Sequence, residues 1–377
     1  MKIGYFTDGY LPQINGVATS VEELHDSLTD RKHEVYVIAP KYPNYKDDNP
    51  NVFRLKSFRL YKNPELRLSY MFPDRIFQKV LKIDFDIIHG FSGGSIPSLG
   101  LALAKLKRKP YVFTYNTRLT HYTHYVLGGK LIRPKAVEKV VELYCNVCNH
   151  VIAPADYVKK ELIEFGVKKP ITVIPNGVNT KRFKPQKSDF LRKKLGIPKE
   201  DKIVIYVGRI AKEKSIDFLI STFEKVFRKE KNIHLVIVGD GPERKNLEKL
   251  ITKHKISDRV FLIGFVEHKD LGRIYNSADV FVFSSKTETQ GMVVLEAMAS
   301  GLPVLTVKDR VFEEFIQNGV DGFIVEKNGS VFAKKLMEIL EDEDLRKKIS
   351  ANARKKALKF SLEEIAKKFE NLYKSLR

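Results

Sequence analysis

The chain has no tryptophan, five methionines and two cysteines in 377 residues. So small a cysteine content fits a reducing compartment and leaves no disulfide framework to organise the fold. No stretch approaches the ~18 consecutive apolar residues of a membrane-crossing helix, so none is expected. Residues Met1–Asp8 lack a leader pattern and read as a first strand, so a cytoplasmic protein is expected. No cluster has metal-ligand spacing. Cys145-Asn146-Val147-Cys148 lies within a helical pattern, and His150 adds only a third ligand, one short of a closed zinc site. A redox pair belongs at a helix start, so packing is its expected role. No short-period repeat is present.

What the chain does have is length, apolar content and positive charge. Its 377 residues imply about two domains, because single cores rarely outgrow roughly 250–300 residues. A hydrophobic content of 43% is ample for both. The net charge of +21 suits a polyanionic partner, either nucleic acid or an anionic membrane.

Short β-branched or aromatic runs alternate with amphipathic stretches along the whole sequence. Lys2–Phe6, Glu34–Ala39, Asp86–His89, Tyr111–Tyr115, Val151–Ala153 and Ile171–Ile174 form one series. A second begins at Lys202–Val207 and continues through His234–Val238, Val260–Leu262, Val280–Phe283, Val304–Val307 and Phe323–Val325. Alternation of this kind predicts parallel sheets covered by helices on both faces. Between the series lie Pro175-Asn176-Gly177-Val178 and a Lys/Pro-rich segment ending near Pro198. The expected division is a doubly wound domain over 1–178, a linker over 179–198 and a second doubly wound domain over 199–358.

In such sheets ligands gather outside the carboxyl ends of the strands. Four strand ends of the second domain carry suggestive residues. Val204–Val207 runs into Gly208-Arg209-Ile210-Ala211-Lys212-Glu213-Lys214, where glycine permits close approach and two cations can reach a diphosphate. His234–Val238 runs into Gly239-Asp240-Gly241-Pro242, and Val260–Leu262 into Gly264-Phe265-Val266, whose aromatic face suits a base. After Val280–Phe283 comes a loop with Glu288, then a helix from about Gly291 that carries Glu296. A helix N-terminus favours phosphate. Carboxylates repel phosphate, so two of them beside it point to hydroxyl groups next to the phosphate, as in a nucleotide-sugar.

Gly208–Lys214 and the glutamate pair Glu288/Glu296 resemble the retaining glycosyltransferases of family 4, and the resemblance spans nearly the whole chain. Thr7-Asp8-Gly9-Tyr10-Leu11-Pro12-Gln13-Ile14-Asn15-Gly16-Val17 is similar to that family's first glycine-rich loop, and Pro175–Val178 to its interdomain segment. The resemblance implies the α/β GT-B fold, two Rossmann-like domains with an interdomain cleft. It implies that a helix within 361–377 crosses back onto the N-terminal domain. Arg209 and Lys214 would neutralise the donor diphosphate and then the leaving nucleotide. Glu288 would hold the transferred sugar and Glu296 the ribose. Backbone groups of Gly291, Met292 and Val293 would cap the phosphate, with Gly208, Gly241, Phe265 and Val266 lining the donor site. Asn15 and Gly16 would close over it. Two cations can replace a metal, so no metal and no cofactor is expected. The resemblance favours a same-face displacement over a covalent intermediate.

The acceptor side is expected in Thr114–Tyr125. This loop is similar to that of bacterial glucosyl-diacylglycerol synthases, with phosphatidylinositol mannosyltransferase-like enzymes next. Tyr122-Thr123-His124-Tyr125 keeps the loop's tail, but Asn116 stands where those enzymes carry a histidine, and His121 lies five residues on. Asn116 can hydrogen-bond but cannot titrate. Between Val52 and Lys82, Arg54, Lys56, Arg59, Lys62 and Arg67 lead eight basic residues against two acidic ones, interleaved with aromatics. That mixture suits an anionic membrane surface. The leading expectation is therefore a cytoplasmic, peripherally membrane-bound hexosyltransferase that moves glucose from UDP-glucose to a lipid such as diacylglycerol. The alternative is transfer from GDP-mannose or another donor to phosphatidylinositol or a soluble glycan. A basic nucleic-acid-binding protein is the minor alternative. It has no use for Glu288 and Glu296 in one pocket, so no nucleic-acid partner is expected.

Overall fold

A computed structural model describes residues 1–13, 15–60, 63–70, 74–116, 134–228, 230–286 and 288–377. The chain divides into two compact units, Met1–Gly177 with Leu362–Arg377, and Val178–Ser361. In the first unit the elements run β1 (Lys2–Thr7), α1 (Gly16–Asp30), β2 (Glu34–Pro40), β3 (Val52–Leu55), β4 (Ser57–Leu60), β5 (Asn63–Ser69), α2 (Arg75–Leu81) and β6 (Ile87–Phe91). They continue with α3 (Ser95–Lys107), β7 (Tyr111–Thr114), α4 (Pro134–Val147), β8 (His150–Ala153), α5 (Asp156–Glu164) and β9 (Ile171–Val173). The second unit comprises α6 (Phe190–Leu195), β10 (Lys202–Val207), α7 (Ile216–Phe227), β11 (Ile233–Val238), α8 (Arg244–His254), β12 (Val260–Gly264), α9 (Leu271–Tyr275) and β13 (Val280–Phe283). After these come α10 (Met292–Ala299), β14 (Val304–Val307), α11 (Arg310–Phe315), β15 (Phe323–Val325), α12 (Gly329–Glu341) and α13 (Glu343–Leu358). The last helix, α14 (Leu362–Leu376), belongs to the first unit.

Each unit is built on one parallel sheet. The first has seven strands in the order β3-β2-β1-β6-β7-β8-β9, the second six in the order β12-β11-β10-β13-β14-β15. In both, the chain winds outward from a central strand in one direction, then returns to its other side and winds the opposite way. The reversal lies between β1 and β6 in one sheet and between β10 and β13 in the other. Alternate residues of β1 show why these strands are apolar throughout. Ile3 and Tyr5 face α1 and α14, while Phe6 faces the layer containing α2, α3, α4 and α5. A strand covered on both faces has no side left for water. Cys145 and Cys148 are buried in that second layer as free thiols, and burial pushes Cys145 up to about 12 and Cys148 up as well. Neither supplies a thiolate near neutral pH.

Residues 52–69 form three strands that the run of basic residues hides in the sequence. β3 extends the sheet, and β4 and β5 make a separate antiparallel hairpin. Residues 179–198 lie within the second unit, where Phe183 is fully buried.

Helix α14 is fastened to the first unit at two levels. Ile365, Phe369 and Tyr373 enter the core beside α1, and the Tyr373 hydroxyl lies 2.6 Å from Nδ1 of buried His89. At the surface, Arg31 beyond the end of α1 pairs with Glu370, its Nε donating at 2.7 Å, and Lys374 donates to the same carboxylate at 2.6 Å. Lys374 and Arg31 hold the Glu370 carboxyl at about 2, below its ordinary 4.5. The folded value lies below the unfolded one. The stabilisation is therefore complete above pH 4.5 and is lost as pH falls toward about 2. Denaturant unfolding across that acid range should show the wild type losing stability more steeply than Glu370→Gln.

Candidate active site

The loops at the carboxyl ends of β12, β11, β10 and β13 are neighbours because those four strands are neighbours. Close backbone packing holds them there. A Cβ on Gly239 would lie 1.9 Å from the Gly208 carbonyl oxygen, and one on Gly241 2.3 Å from that of Ile210. Both glycines also have positive φ, at 134° and 159°. The loop after β11 thus lies directly against the loop after β10, as only glycine allows. Arg209 is exposed on the latter loop, and Phe265, after β12, is 51% exposed.

Lys214 ends a short 3-10 turn, Lys212–Lys214, which is tied to the next strand. Buried Ser284, just past β13, donates from Oγ to the carbonyls of Lys214 at 2.7 Å and Ser215 at 3.0 Å. This brings the Lys214 ammonium to the Glu288 carboxylate, with which it forms an ion pair, both side chains being mostly buried. The ammonium also stands 6.0 Å from the centroid of the Phe283 ring. Beneath them Tyr206 stacks on Phe283 with centroids 5.6 Å apart. Burial, then the charges of Glu288 and Glu213, push the Tyr206 phenol well above its usual range, so it remains neutral.

Helix α10 starts abruptly because Gly291 has φ of 72°, a left-handed turn that aims the chain into the helix. Met292 and Val293 follow as its first residues, half-buried at the end that carries unpaired N–H groups. About one turn on, Glu296 is 5% exposed. Its Oε2 accepts from the Tyr275 hydroxyl at 2.8 Å, and His268 Nε2 lies 2.9 Å from Oε1. Within the second unit, the loops at the carboxyl ends of four adjacent strands therefore carry two cations, two carboxylates, a helix N-terminus and an exposed aromatic ring. Such a set can hold a diphosphate and the hydroxyl groups on either side of it.

Residues 14–182 match the family described as Glycosyltransferase Family 4, and residues 187–356 match Glycosyl transferases group 1. Alpha-monoglucosyldiacylglycerol synthase of Acholeplasma laidlawii is 36% identical over 100% of this chain and 97% of its own length. The chain is a family 4 glycosyltransferase. A synthase of the same description from Streptococcus pneumoniae is 34% identical over 81% of this chain and 70% of its own. The fold is GT-B. Sucrose-phosphate synthase from Thermosynechococcus elongatus shares it with a TM-score of 0.80 at 22% identity, covering 100% of this chain and 99% of that one. Anabaena HepE, solved in complex with UDP-glucose, shares it with a TM-score of 0.78 at 20% identity, covering both chains fully.

Several residues of this glycosyltransferase have tasks that the sequence reading did not give them. Asn15 was expected at the donor, but its side-chain oxygen caps α1, accepting from the N–H of Val17 at 3.1 Å and Ala18 at 3.0 Å. Gly16 opens that helix, and nothing lies within 4 Å of where its Cβ would be. Asn116, just beyond β7, is buried, and its Oδ1 has no hydrogen-bond partner among the described residues. His121, Tyr122, His124 and Lys62 lie outside the described residues. Val266 is half-buried after Phe265.

The basic patch needs a correction. Arg54 is not a surface cation. It forms a two-pronged pair with Asp47 at 2.6 and 2.8 Å, and its guanidinium lies over the Tyr10 and Tyr45 rings. Arg67 is likewise engaged, donating to the Ser57 hydroxyl at 2.8 Å and carbonyl at 2.9 Å. Both brace the strands, Arg54 mostly buried and Arg67 half-buried. Lys56 and Arg59 are exposed, beside exposed Phe58 and Tyr70 whose rings are 5.2 Å apart. His268 and Tyr275 escaped the sequence reading because neither stands in a motif; only the fold brings them to Glu296.

Gly291 offers a direct check on this geometry. A Cβ there would lie 2.7 Å from Phe312 Cε1 and would carry a left-handed φ. Gly291→Ala should lower the melting temperature by roughly 2–8 °C, read by circular dichroism.

Proposed function

We propose that the protein is a retaining hexosyltransferase that moves glucose from UDP-glucose to a diacylglycerol-type lipid at an anionic membrane surface. The observation that carries the donor half is the pairing of Lys214 with Glu288 beside the N-terminus of α10. Support for the acceptor half comes from the relatives that are monoglucosyldiacylglycerol synthases. In this reading the contact with lipid is peripheral; among the described residues no helix is long and apolar enough to cross a membrane. The exposed hairpin residues Phe58, Tyr70, Lys56 and Arg59 suit that contact.

Arg209 and Lys214 take the donor diphosphate, with the first N–H groups of α10. Glu288 exchanges Lys214 for hydroxyls of the hexose, and Glu296 takes the ribose. The bond from the anomeric carbon to the phosphate oxygen breaks, and its electrons pass to UDP, where the two cations meet the growing charge. The acceptor hydroxyl attacks the same face, and its proton goes to the departing phosphate oxygen. No metal is required in this scheme, since the cations supply the charge.

A second reading keeps the chemistry and changes the donor. GDP-mannose-dependent alpha-mannosyltransferase of Corynebacterium glutamicum is 28% identical over 86% of this chain, so GDP-mannose is the competing donor.

Incubation with radiolabelled UDP-glucose and diacylglycerol in anionic vesicles, followed by lipid extraction, should yield labelled glucolipid, undiminished by chelator. Label entering lipid only from GDP-mannose would establish the second reading. Because Glu288 competes with the diphosphate for Lys214, Glu288→Gln should bind UDP several-fold more tightly, by about 3–10-fold, while turnover falls by about 100-fold or more. Glu296→Ala should weaken UDP binding instead, and titration calorimetry separates the two.

A further inference from the structure

Glu296 is held by a shell that reaches outside every motif. Tyr275 donates to one oxygen at 2.8 Å, and His268 Nε2 stands 2.9 Å from the other. The second ring nitrogen of His268, Nδ1, lies 2.7 Å from Nη1 of Arg182. A guanidinium has only N–H groups to offer, so Arg182 donates and Nδ1 accepts. That choice settles the tautomer. The imidazole is neutral, and its one proton sits on Nε2, aimed at Glu296. The Phe183 ring packs edge-on against both His268, at 5.3 Å, and Tyr275, at 5.7 Å, which fixes the two donors relative to each other.

A carboxylate presents about four acceptor positions. Tyr275 and His268 occupy one on each oxygen, and the directions of the remaining positions are thereby set. A vicinal diol needs two acceptors at a fixed spacing, and a carboxylate already locked in place offers them without losing rotational freedom on binding. We infer that His268 is a positioning residue of the nucleotide site, kept as the Nε2–H tautomer by Arg182, and that it sets the discrimination for a ribose carrying both hydroxyls. The inference rests on the reading of Glu296 as the ribose ligand. It also gives the segment 179–198 a part in recognition, since Arg182 and Phe183 belong to it.

The test is titration calorimetry of the full chain with UDP and 2′-deoxy-UDP, and in parallel with GDP and 2′-deoxy-GDP, reading whichever pair binds. The wild type should prefer the ribonucleotide by ~10-fold, the worth of one hydrogen bond to a charged group. His268→Leu should weaken the ribonucleotide by ~10-fold and the deoxy form hardly at all, so that discrimination collapses while kcat at saturating donor stays within ~2-fold. His268→Gln, which can place an N–H near the Nε2 position, should keep discrimination within ~3-fold of wild type. Equal weakening of both nucleotides in His268→Leu would mean a merely structural histidine and would overturn the inference, as would full discrimination in that variant. Failure of the underlying reading looks different: Glu296→Gln would then bind the ribonucleotide as the wild type does.

Discussion

The site depends on the point where the second sheet reverses its winding. Strands β10 and β13 are adjacent in space although three helices and two strands separate them in sequence. Their connections leave toward opposite faces, so the loops after them diverge and leave a crevice at the strand ends. Lys214 comes from one loop and Glu288 from the other, and Ser284 bonds the two loops together. The close approach of Gly239 to Gly208 extends the same crevice one strand further. Charges of opposite sign are thus brought together by topology before any ligand is present.

That arrangement explains why carboxylates and cations share one pocket. An ammonium left alone there would be desolvated without a partner, and so would a carboxylate; paired, each offsets the other. A ligand with a diphosphate and a polyhydroxyl group at opposite ends can replace both halves of the pair at once, which a phosphate alone cannot. Glu296 follows a different logic. It is held by neutral donors, Tyr275 and His268, and remains an acceptor aimed in a set direction. One carboxylate is therefore paired with a charge and the other held between Tyr275 and His268.

Much of this was legible along the chain. The two series of apolar runs became the two sheets because a strand covered on both faces must be apolar at consecutive positions. The glycines after β10 and β11 and the pair Glu288/Glu296 stand in local patterns, where spacing alone signals a turn or a helix start. Other features were hidden. β3, β4 and β5 lie in a stretch whose arginines suggested an exposed basic surface. Arg54 is instead paired with Asp47, seven residues away in sequence but next to it in space. Asn15, which the resemblance places over the donor, also stands where a side chain caps a helix.

The α/β class and the loops at the strand ends could be read along the chain, because periodicity and short-range spacing are properties of neighbouring residues, and the family followed from the resemblance carried by Gly208–Lys214 and Glu288/Glu296. What those residues do to one another comes from the folded chain. Lys214 meets Glu288 across 74 positions, and His268 meets Glu296 across 28, through strands whose order no local pattern encodes. The tautomer of His268 was further still from the sequence, since it is dictated by Arg182, 86 residues away, through a single hydrogen bond. Contacts of that kind arise from where a sheet sends its loops, and the chain reveals them only once it is folded.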